Sequence, residues 1–406
     1  MSNTSANIPR MISKLGDSQM KKKLLAVAAA AATLPAAYAV DFKAGNWDMS
    51  IGGNANTFYT STHCSGSTAI TGLALGGNAL ACNGKTSSTT IGNGLLPSML
   101  NVGAKTHENG YEIAAVVGMG VAVATNSSIA QNNVVDVRNA YVSVGNGDMG
   151  TVKLGRDYGL FGLNAVLNDM TLLGVGSATQ ATQNGRVSLG HLGAGYVYAG
   201  TYGQVAYTTP TMNGFSADVA LMNPVNPYNQ DTNEVAGTGP ATQARATYAG
   251  QGFKMWAAAK AQKFTNYSMN GTEVGGSVSS GPFGLIANYQ SGTGMGILAD
   301  GDQGNVKSTN TFVQATYKAT SKLKLGLGVG KGKNDVAGTG GNIASGGAIG
   351  SNSVNLRSNQ NTTVGAYYSL TPSFTVVGEV GQTKSNSFTG LDATQNSVAV
   401  GGIFFF

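Results

Sequence analysis

The chain has 406 residues, of which only 10% are charged, and it carries 60 glycines, 9 prolines and 2 cysteines. That charge content lies far below the roughly 25% of a soluble domain, while a hydrophobic share of 42% argues against disorder driven by polarity. The formal charge of +6 belongs mostly to residues 1–39, which hold five cations and one carboxylate; without them it is +2, and no polybasic tract remains to recruit nucleic acid.

The longest apolar run, Leu24–Ala39, has 16 residues and contains Pro35, so it is too short for a membrane helix of about 20. Met20 and Lys21–Lys23 form a charged start, the alanine-rich run follows, and Ala37-Tyr38-Ala39 supplies a small-residue cleavage site. That order predicts a secretory signal peptide over residues 20–39, with 1–19 an upstream extension and 40–406 a single barrel domain.

From Val40 onward the sequence alternates between apolar and polar residues, the period of a strand with unlike faces. Trp47, Met49 and Ile51 form the first apolar row, followed by Leu100-Val102-Ala104 and the longest, Tyr111 to Val123 at every second position. Phe215-Ala217-Val219-Leu221, Ala244-Ala246-Tyr248 and Val313-Ala315-Tyr317 come next. In Lys322–Lys333, KLKLGLGVGKGK, the row Leu323, Leu325, Leu327 and Val329 opposes lysine and glycine. Phe374-Val376-Val380 and Val398-Val400-Phe404-Phe406 complete the series.

Seven short turns separate these rows: 107–110, 145–150, 210–214, 250–252, 281–282, 320–321 and 371–372. They alternate with longer connections near 61–96, 125–133, 158–200, 223–240, 264–271, 291–307, 333–358 and 386–393. The alternation predicts 16 antiparallel strands, an even number with short turns at one end and longer loops at the other, as in a transmembrane β-barrel. Lipid admits only a closed sheet, since an open edge leaves backbone groups unpaired. Tyr111, Phe215, Phe253, Phe283 and Phe374 directly follow short turns; with Trp47 and Phe406 they predict an aromatic belt at one membrane interface. Aromatic staples of a soluble barrel are the alternative, but such a barrel turns its apolar row inward, and the opposing row here carries Lys, Glu, Arg and glycine.

Arg138–Gly159, RNAYVSVGNGDMGTVKLGRDYG, together with Gly203–Phe215, GQVAYTTPTMNGF, and the terminal Phe406, resembles the general porins of Gram-negative bacteria. The resemblance implies an all-β fold: a 16-stranded outer-membrane barrel with short periplasmic turns and long external loops, the third folded into the lumen as an eyelet. It further implies homotrimers, passive diffusion of small hydrophilic solutes and ions, and a wall surrounded by outer-membrane lipid and lipopolysaccharide. Phe406 would be read by the outer-membrane assembly machinery. Arg156 matches the family's wall arginine opposite loop 3; strict alternation would place it with Val152 and Leu154 toward lipid, so a bulge near Gly155 is expected. Asn101 stands where another wall arginine is common, and His191 where an arginine-rich segment follows loop 3. Asp157, Asp169 and Arg186 complete the eyelet candidates, and the loop's few acids predict a mild ion preference.

Parity adds Lys105, Arg245 and Lys324 as wall cations, beside Asp48, Glu112, Asp218, Lys254, Lys260 and Glu379; the balance leans weakly toward anions. Cys64 and Cys82, 18 positions apart, predict a disulfide in an oxidising compartment. The adjacent His63 lacks further ligands for a metal site, and no cofactor is expected. Asn83-Gly84-Lys85-Thr86 resembles the end of a phosphate-binding loop, but Ala79 replaces the required glycine. Three histidines without a readable nucleophile arrangement give no catalytic site. A channel guided by Tyr158, Phe161, Tyr196, Tyr198 and Tyr202, taking sugars or organic acids, is the second reading. A surface β-solenoid is a third, but it requires a short fixed repeat.

Overall fold

The computed structural model describes residues 39–68, 70–72, 79–82, 84–124, 135–178, 188–228, 234–337 and 355–406. The signal-peptide and upstream readings for 1–38, the connection at 125–133 and Arg186 therefore lie outside the described residues.

The strands are β1 (Val40–Ala44), β2 (Trp47–Gly66), β3 (Ser87–Gly92), β4 (Ser98–Glu108), β5 (Tyr111–Val121), β6 (Val135–Asn146), β7 (Gly150–Tyr158), β8 (Thr201–Thr208) and β9 (Phe215–Met222). They continue as β10 (Ala241–Gly250), β11 (Phe253–Lys263), β12 (Ser268–Ser280), β13 (Phe283–Thr293), β14 (Lys307–Lys318), β15 (Leu323–Asn334), β16 (Leu356–Ser369), β17 (Phe374–Ser387) and β18 (Asp392–Phe405). Every pairing between them is antiparallel, and β2 pairs with both β18 and β4, so the sheet closes. Two of the eighteen segments are partial staves. β1 lies along the β2 edge just beyond the end of β18, with Val40 opposite Ile51 and Phe405 opposite Asn54. β3 likewise shares the other edge of β2 with β4. The wall is thus a closed 16-strand antiparallel barrel.

All seven short turns close hairpins. At two of them an Asn-Gly pair adopts left-handed backbone, Asn109 and Gly110 at φ 50° and 83° and Asn213 and Gly214 at φ 51° and 86°, the conformation that matches the twist of a tight hairpin. Two of the expected long connections are short. The strands run further, leaving only residues 264–267 between β11 and β12 and 388–391 between β17 and β18.

The alternation sets the two faces. Leu325, Leu327 and Val329 are exposed on the outer wall, while Gly326, Gly328 and Gly330 between them are buried. Val205, Val219, Leu221, Val274, Leu285, Val364, Val398 and Val400 also face outward. Such a continuous exposed apolar surface would be an aggregation hazard in water and is the solvent-matched face in hydrocarbon. At the short-turn end Tyr248 packs on Phe253 and Phe283 on Tyr317, with ring centroids 5.7 and 5.1 Å apart. Tyr111, Phe215, Phe404 and Phe406 join them as exposed aromatics. The interior holds Asn, Gln, Thr, Ser, Asp, Glu and Lys.

Candidate functional site

The described parts of the connection between β7 and β8, residues 159–178 and 188–200, turn inward, and the barrel wall holds them mostly through their own backbone. It contains a short helix, α1 (Leu163–Asn168), and a 3-10 turn at Met170–Leu173. Gln243 of β10 accepts the amides of Leu160 and Phe161 at 2.7 and 2.9 Å, and Glu273 of β12 that of Gly162 at 2.8 Å. Gln290 of β13 accepts Val197 N–H at 2.8 Å, and Gln314 of β14 accepts Met170 N–H at 2.7 Å. Glu379 of β17 accepts the amides of Val175 and Gly176 at 2.9 and 2.7 Å, and Tyr367 donates to its other oxygen at 2.6 Å. Gln395 of β18 donates to the Ala178 carbonyl at 2.7 Å. Buried backbone donors need acceptors, and wall side chains across the β10–β18 arc provide them.

The glycines of KLKLGLGVGKGK form the seat of this loop. A Cβ on Gly330 would lie 2.0 Å from the Ala194 carbonyl oxygen, on Gly328 2.8 Å from His191 Cε1, and on Gly326 2.1 Å from Met170 Sδ. Missing side chains let the loop backbone approach the sheet closely. The two legs of the loop are tied by a buried cluster. Asp169 Oδ2 meets His191 Nδ1 at 2.8 Å and accepts from Tyr196 Oη at 2.6 Å, while Oδ1 accepts Thr171 N–H at 2.8 Å. Burial alone would raise the Asp169 pKa, but His191 and these hydrogen bonds outweigh it and hold the carboxyl below its ordinary range. Burial, followed by the neighbouring Asp169, pushes the Tyr196 phenol well above its usual value.

Two other connections close over the same half of the lumen. Cys64 is the last luminal residue of β2 rather than part of a loop, and it forms the disulfide with Cys82. The bridge brings residues 79–82 against the wall, where Ser385 accepts Ala81 N–H at 3.0 Å and Gln395 accepts Cys82 N–H at 3.3 Å. In the 294–306 connection, Asp300 joins Lys260 and accepts from Tyr202 Oη at 2.8 Å, and Asp302 accepts the amides of Ile297 and Leu298 at 3.0 and 2.9 Å. Burial pushes the Asp302 carboxyl up to about 7.

The opposite arc, β4–β7, carries ion pairs of its own, and in each at least one partner keeps some exposure. Lys105 pairs with Glu112 at 3.2 Å, Arg138 with Asp136 at 2.8 Å, and Lys153 with Asp157. Asp157 also accepts from Asn139 at 2.6 Å, and Arg138 reaches Tyr198 of the loop at 3.0 Å. Asn101, half-buried, faces the same space. Arg245 pairs with Asp218 at 2.9 Å. Lys254 donates to Asn164 at 2.8 Å and Lys324 lies over the Tyr367 ring at 5.0 Å; neither has a carboxylate partner among the described residues.

The structure separates the sequence candidates. Asp157, Asn101, Lys105, Arg245 and Lys324 face the lumen, and Asp169 and His191 are enclosed in the loop with no exposed surface. Arg156 is a correction. β7 pairs with β6 and β8 in unbroken register, Arg156 opposite Ala140 and Gly203, so no bulge turns it inward; it is exposed on the outer wall and donates to Thr201 at 3.3 Å. The irregularity falls instead between β5 and β6, opposite Gly118 and Met119. It turns both Arg138 and Asn139 toward the lumen and so supplies a wall arginine that alternation could not place. The tyrosine slide is also largely absent: Tyr196, Phe161 and Tyr202 are buried, and only Tyr158 and Tyr198 are half-exposed. Phe406 is exposed on the outer wall and exchanges backbone hydrogen bonds with Gly53 at 2.7 and 3.1 Å.

An apolar outer wall, a polar interior and an inward-folded loop define a membrane channel. The model of the Gram-negative porin family matches residues 25–387, and the chain belongs to that family. It is an outer-membrane porin, a channel for passive diffusion of small solutes. The outer membrane channel DcaP of Acinetobacter baumannii is similar at 16% identity and a TM-score of 0.63, over 90% of this chain and 99% of that one. Salmonella typhi OmpF, solved with daunomycin, gives 15% and 0.58 over 90% and 100%. OmpT of Vibrio cholerae in its trimer form gives 13% and 0.53 over 89% and 99%. At these identities the likeness is one of fold. No curated protein matches the sequence.

Proposed function

We propose that the chain acts as a homotrimeric general porin whose eyelet is the gap between loop 159–200 and the β4–β7 wall, passing small hydrophilic solutes with a weak anion preference. The observation that carries this is the one-sided lumen. The loop is fastened to β10–β18, while Lys105, Glu112, Asp136 and Lys153 keep contact with water on the other side. Pairing of each of these cations with a carboxylate weakens any transverse field, and charge governs selectivity only where a passage is narrow. Lys254 and Lys324, which have no carboxylate partner among the described residues, supply the anionic lean. Trimerisation is supported by the trimeric OmpT neighbour. Residues 20–39 act as the cleaved export signal and Phe406 as the assembly signal. Single-channel conductance in planar bilayers tests the reading. Conductance should fall steeply with the size of added neutral sugars without saturating for any one of them. A reversal potential of small magnitude should carry the sign of anion preference; a cation-selective reversal or saturation by one solute class refutes that assignment.

A further inference from the structure

At the short-turn end the lumen carries a charge arrangement that the loop does not use. At each short hairpin the first inward-facing residues of the two strands stand directly opposite one another, and β14–β15 brings Lys318 face to face with Lys324. None of the other six hairpins joins two cations in this way among the described residues; the corresponding pairs include His107 with Glu112, Thr208 with Asp218 and Ser279 with Gly284. Opposite residues have Cβ atoms about 5 Å apart, and like charges there repel. The backbone holds the pair in place. Lys318 N–H donates to the Pro282 carbonyl at 2.8 Å, and Thr320 Oγ1 accepts the amides of Lys322 and Leu323 at 3.1 and 2.9 Å, closing the turn between the two strands.

The wall supplies no counter-charge. Neither lysine forms an ion pair among the described residues, and the inward residues beside them are Ser277 and Ser279 on β12 and Tyr367, Ser369 and Thr375 on β16 and β17. Lys324 lies over the Tyr367 ring at 5.0 Å, a contact that attracts a cation without neutralising it. The inward acid of β17, Glu379, is buried and already accepts the amides of Val175 and Gly176 and the Tyr367 hydroxyl. Across the lumen the arrangement differs, since Lys105 meets Glu112 at 3.2 Å. Lys318 is exposed and Lys324 half-buried, so an anion from solution reaches both.

We infer that Lys318 and Lys324 form a binding site for small doubly charged oxyanions at the short-turn mouth of the pore. Two ammonium groups on flexible stems converge on one solute, each through a charge-assisted hydrogen bond. A dianion neutralises both lysines, whereas chloride neutralises one and accepts weaker hydrogen bonds. The chemistry recognised is two negative charges carried on oxygen within one small solute, as in sulfate, hydrogen phosphate or a short dicarboxylate. Because the pair lies on the loop's side of the barrel, an occupied site leaves the β4–β7 passage open to neutral solutes. The inference deepens the anion preference proposed above and rests on the pore reading.

Limited acylation of the detergent-purified protein with a water-soluble amine reagent, each lysine followed by peptide mass spectrometry, tests it. Chloride, sulfate, hydrogen phosphate and succinate are compared at matched ionic strength. An ammonium group held by an anion is a poor nucleophile, so Lys318 and Lys324 should be protected along a saturating curve by the dianions and not by chloride, while Lys331 and Lys333 on the outer wall react at one rate throughout. In Lys318→Gln the concentration that half-protects Lys324 should rise roughly tenfold or more, the loss of one charge-assisted contact, and Lys318→Arg should restore it. Protection by succinate as well as sulfate assigns organic and inorganic dianions to the site; protection by sulfate and hydrogen phosphate alone assigns inorganic ones. Equal protection of Lys331 and Lys333, or unchanged protection of Lys324 in Lys318→Gln, overturns the inference. Bilayer conductance of the same preparations separates the failures: a conducting wild type without selective protection removes only this inference, whereas a wild type without conductance removes the pore reading.

Discussion

Gly330→Ala tests the seating of the loop with a displacement that can be read from the structure. The added methyl would stand 2.0 Å from the Ala194 carbonyl oxygen and 2.8 Å from Gly195 Cα, both backbone atoms with no rotamer to relieve them. Restoring an ordinary 3.4 Å contact moves that leg of the loop about 1.4 Å away from β15, and overpacking of this kind costs about 1–3 kcal/mol. The loop can move only toward the β4–β7 side, where the passage lies. Single-channel conductance should therefore fall and open-channel noise rise, while the melting temperature of the barrel stays close to wild type because the strand ladder is untouched. Gly326→Ala is the internal control. Its methyl would meet the Met170 sulfur at 2.1 Å, but the next atom is at 3.4 Å, and a thioether chain rotates aside. Equal conductance for Gly330→Ala and Gly326→Ala would refute the claim that the glycine row is a seat for loop backbone.

Asp169→Ala leaves His191, Tyr196 and Thr171 N–H without their shared acceptor; at about 1–3 kcal/mol per buried donor, the loop should become cleavable by added protease, with Asp169→Asn intermediate, and intact loops in both variants would count against the tie. Cys64→Ser with Cys82→Ser removes a closure worth about 3 kcal/mol from the 79–82 segment, so hydrogen exchange at Ala81 and Cys82 should accelerate without change in barrel melting. Asp302 has a folded-state pKa raised to about 7, so its contribution is complete at acid pH and is lost as pH rises through neutrality; protection factors in the 294–306 connection, with the intrinsic exchange rate divided out, should fall from pH 5 to pH 8, and Asp302→Asn should flatten that dependence. Cysteine at position 324 should react with a water-soluble thiol reagent and cysteine at 325 in lipid should not; the reverse pattern contradicts the assignment of faces.

The wall was legible in the sequence and the lumen only partly so. Period-two alternation survives because one face of each strand meets hydrocarbon, which leaves Leu325 or Val400 little freedom. Glycine and asparagine announced turns because Asn109-Gly110 and Asn213-Gly214 need positive φ. Two kinds of information were missing. Alternation alone places Arg156 toward lipid, where it is, and only the match to the family's wall arginine calls for a bulge near Gly155; the irregularity lies at Arg138 instead, and alternation carries no sign of it. The loop is held by backbone amides on Gln243, Glu273, Gln290, Gln314 and Glu379, and an amide carries no residue-specific signal. The available sign was on the receiving side: a luminal row of Gly326, Gly328, Gly330 and Gly332 on one strand, where side chains were withheld.

That withholding also determines where the pore lies. A loop of fixed bulk crossing a barrel settles where the wall leaves room and offers hydrogen-bond partners for its backbone. β15 leaves the room with four luminal glycines, and its neighbours offer Gln314 on β14 and Asn359 on β16, the latter donating to the Gly193 carbonyl at 3.4 Å. On the other arc Tyr141, Lys153, Arg138 and Asn139 project inward, filling the space a loop backbone would need while presenting polar groups to water. The off-centre passage thus follows from the luminal glycines of β15 and the side chains of β10–β18 that bind loop backbone, set against the longer residues Tyr141, Lys153 and Arg138 on β6 and β7. Exchanging the two sets, with glycine at 153 and lysine at 330, should draw the loop from the β15 side and move the accessible charges with it.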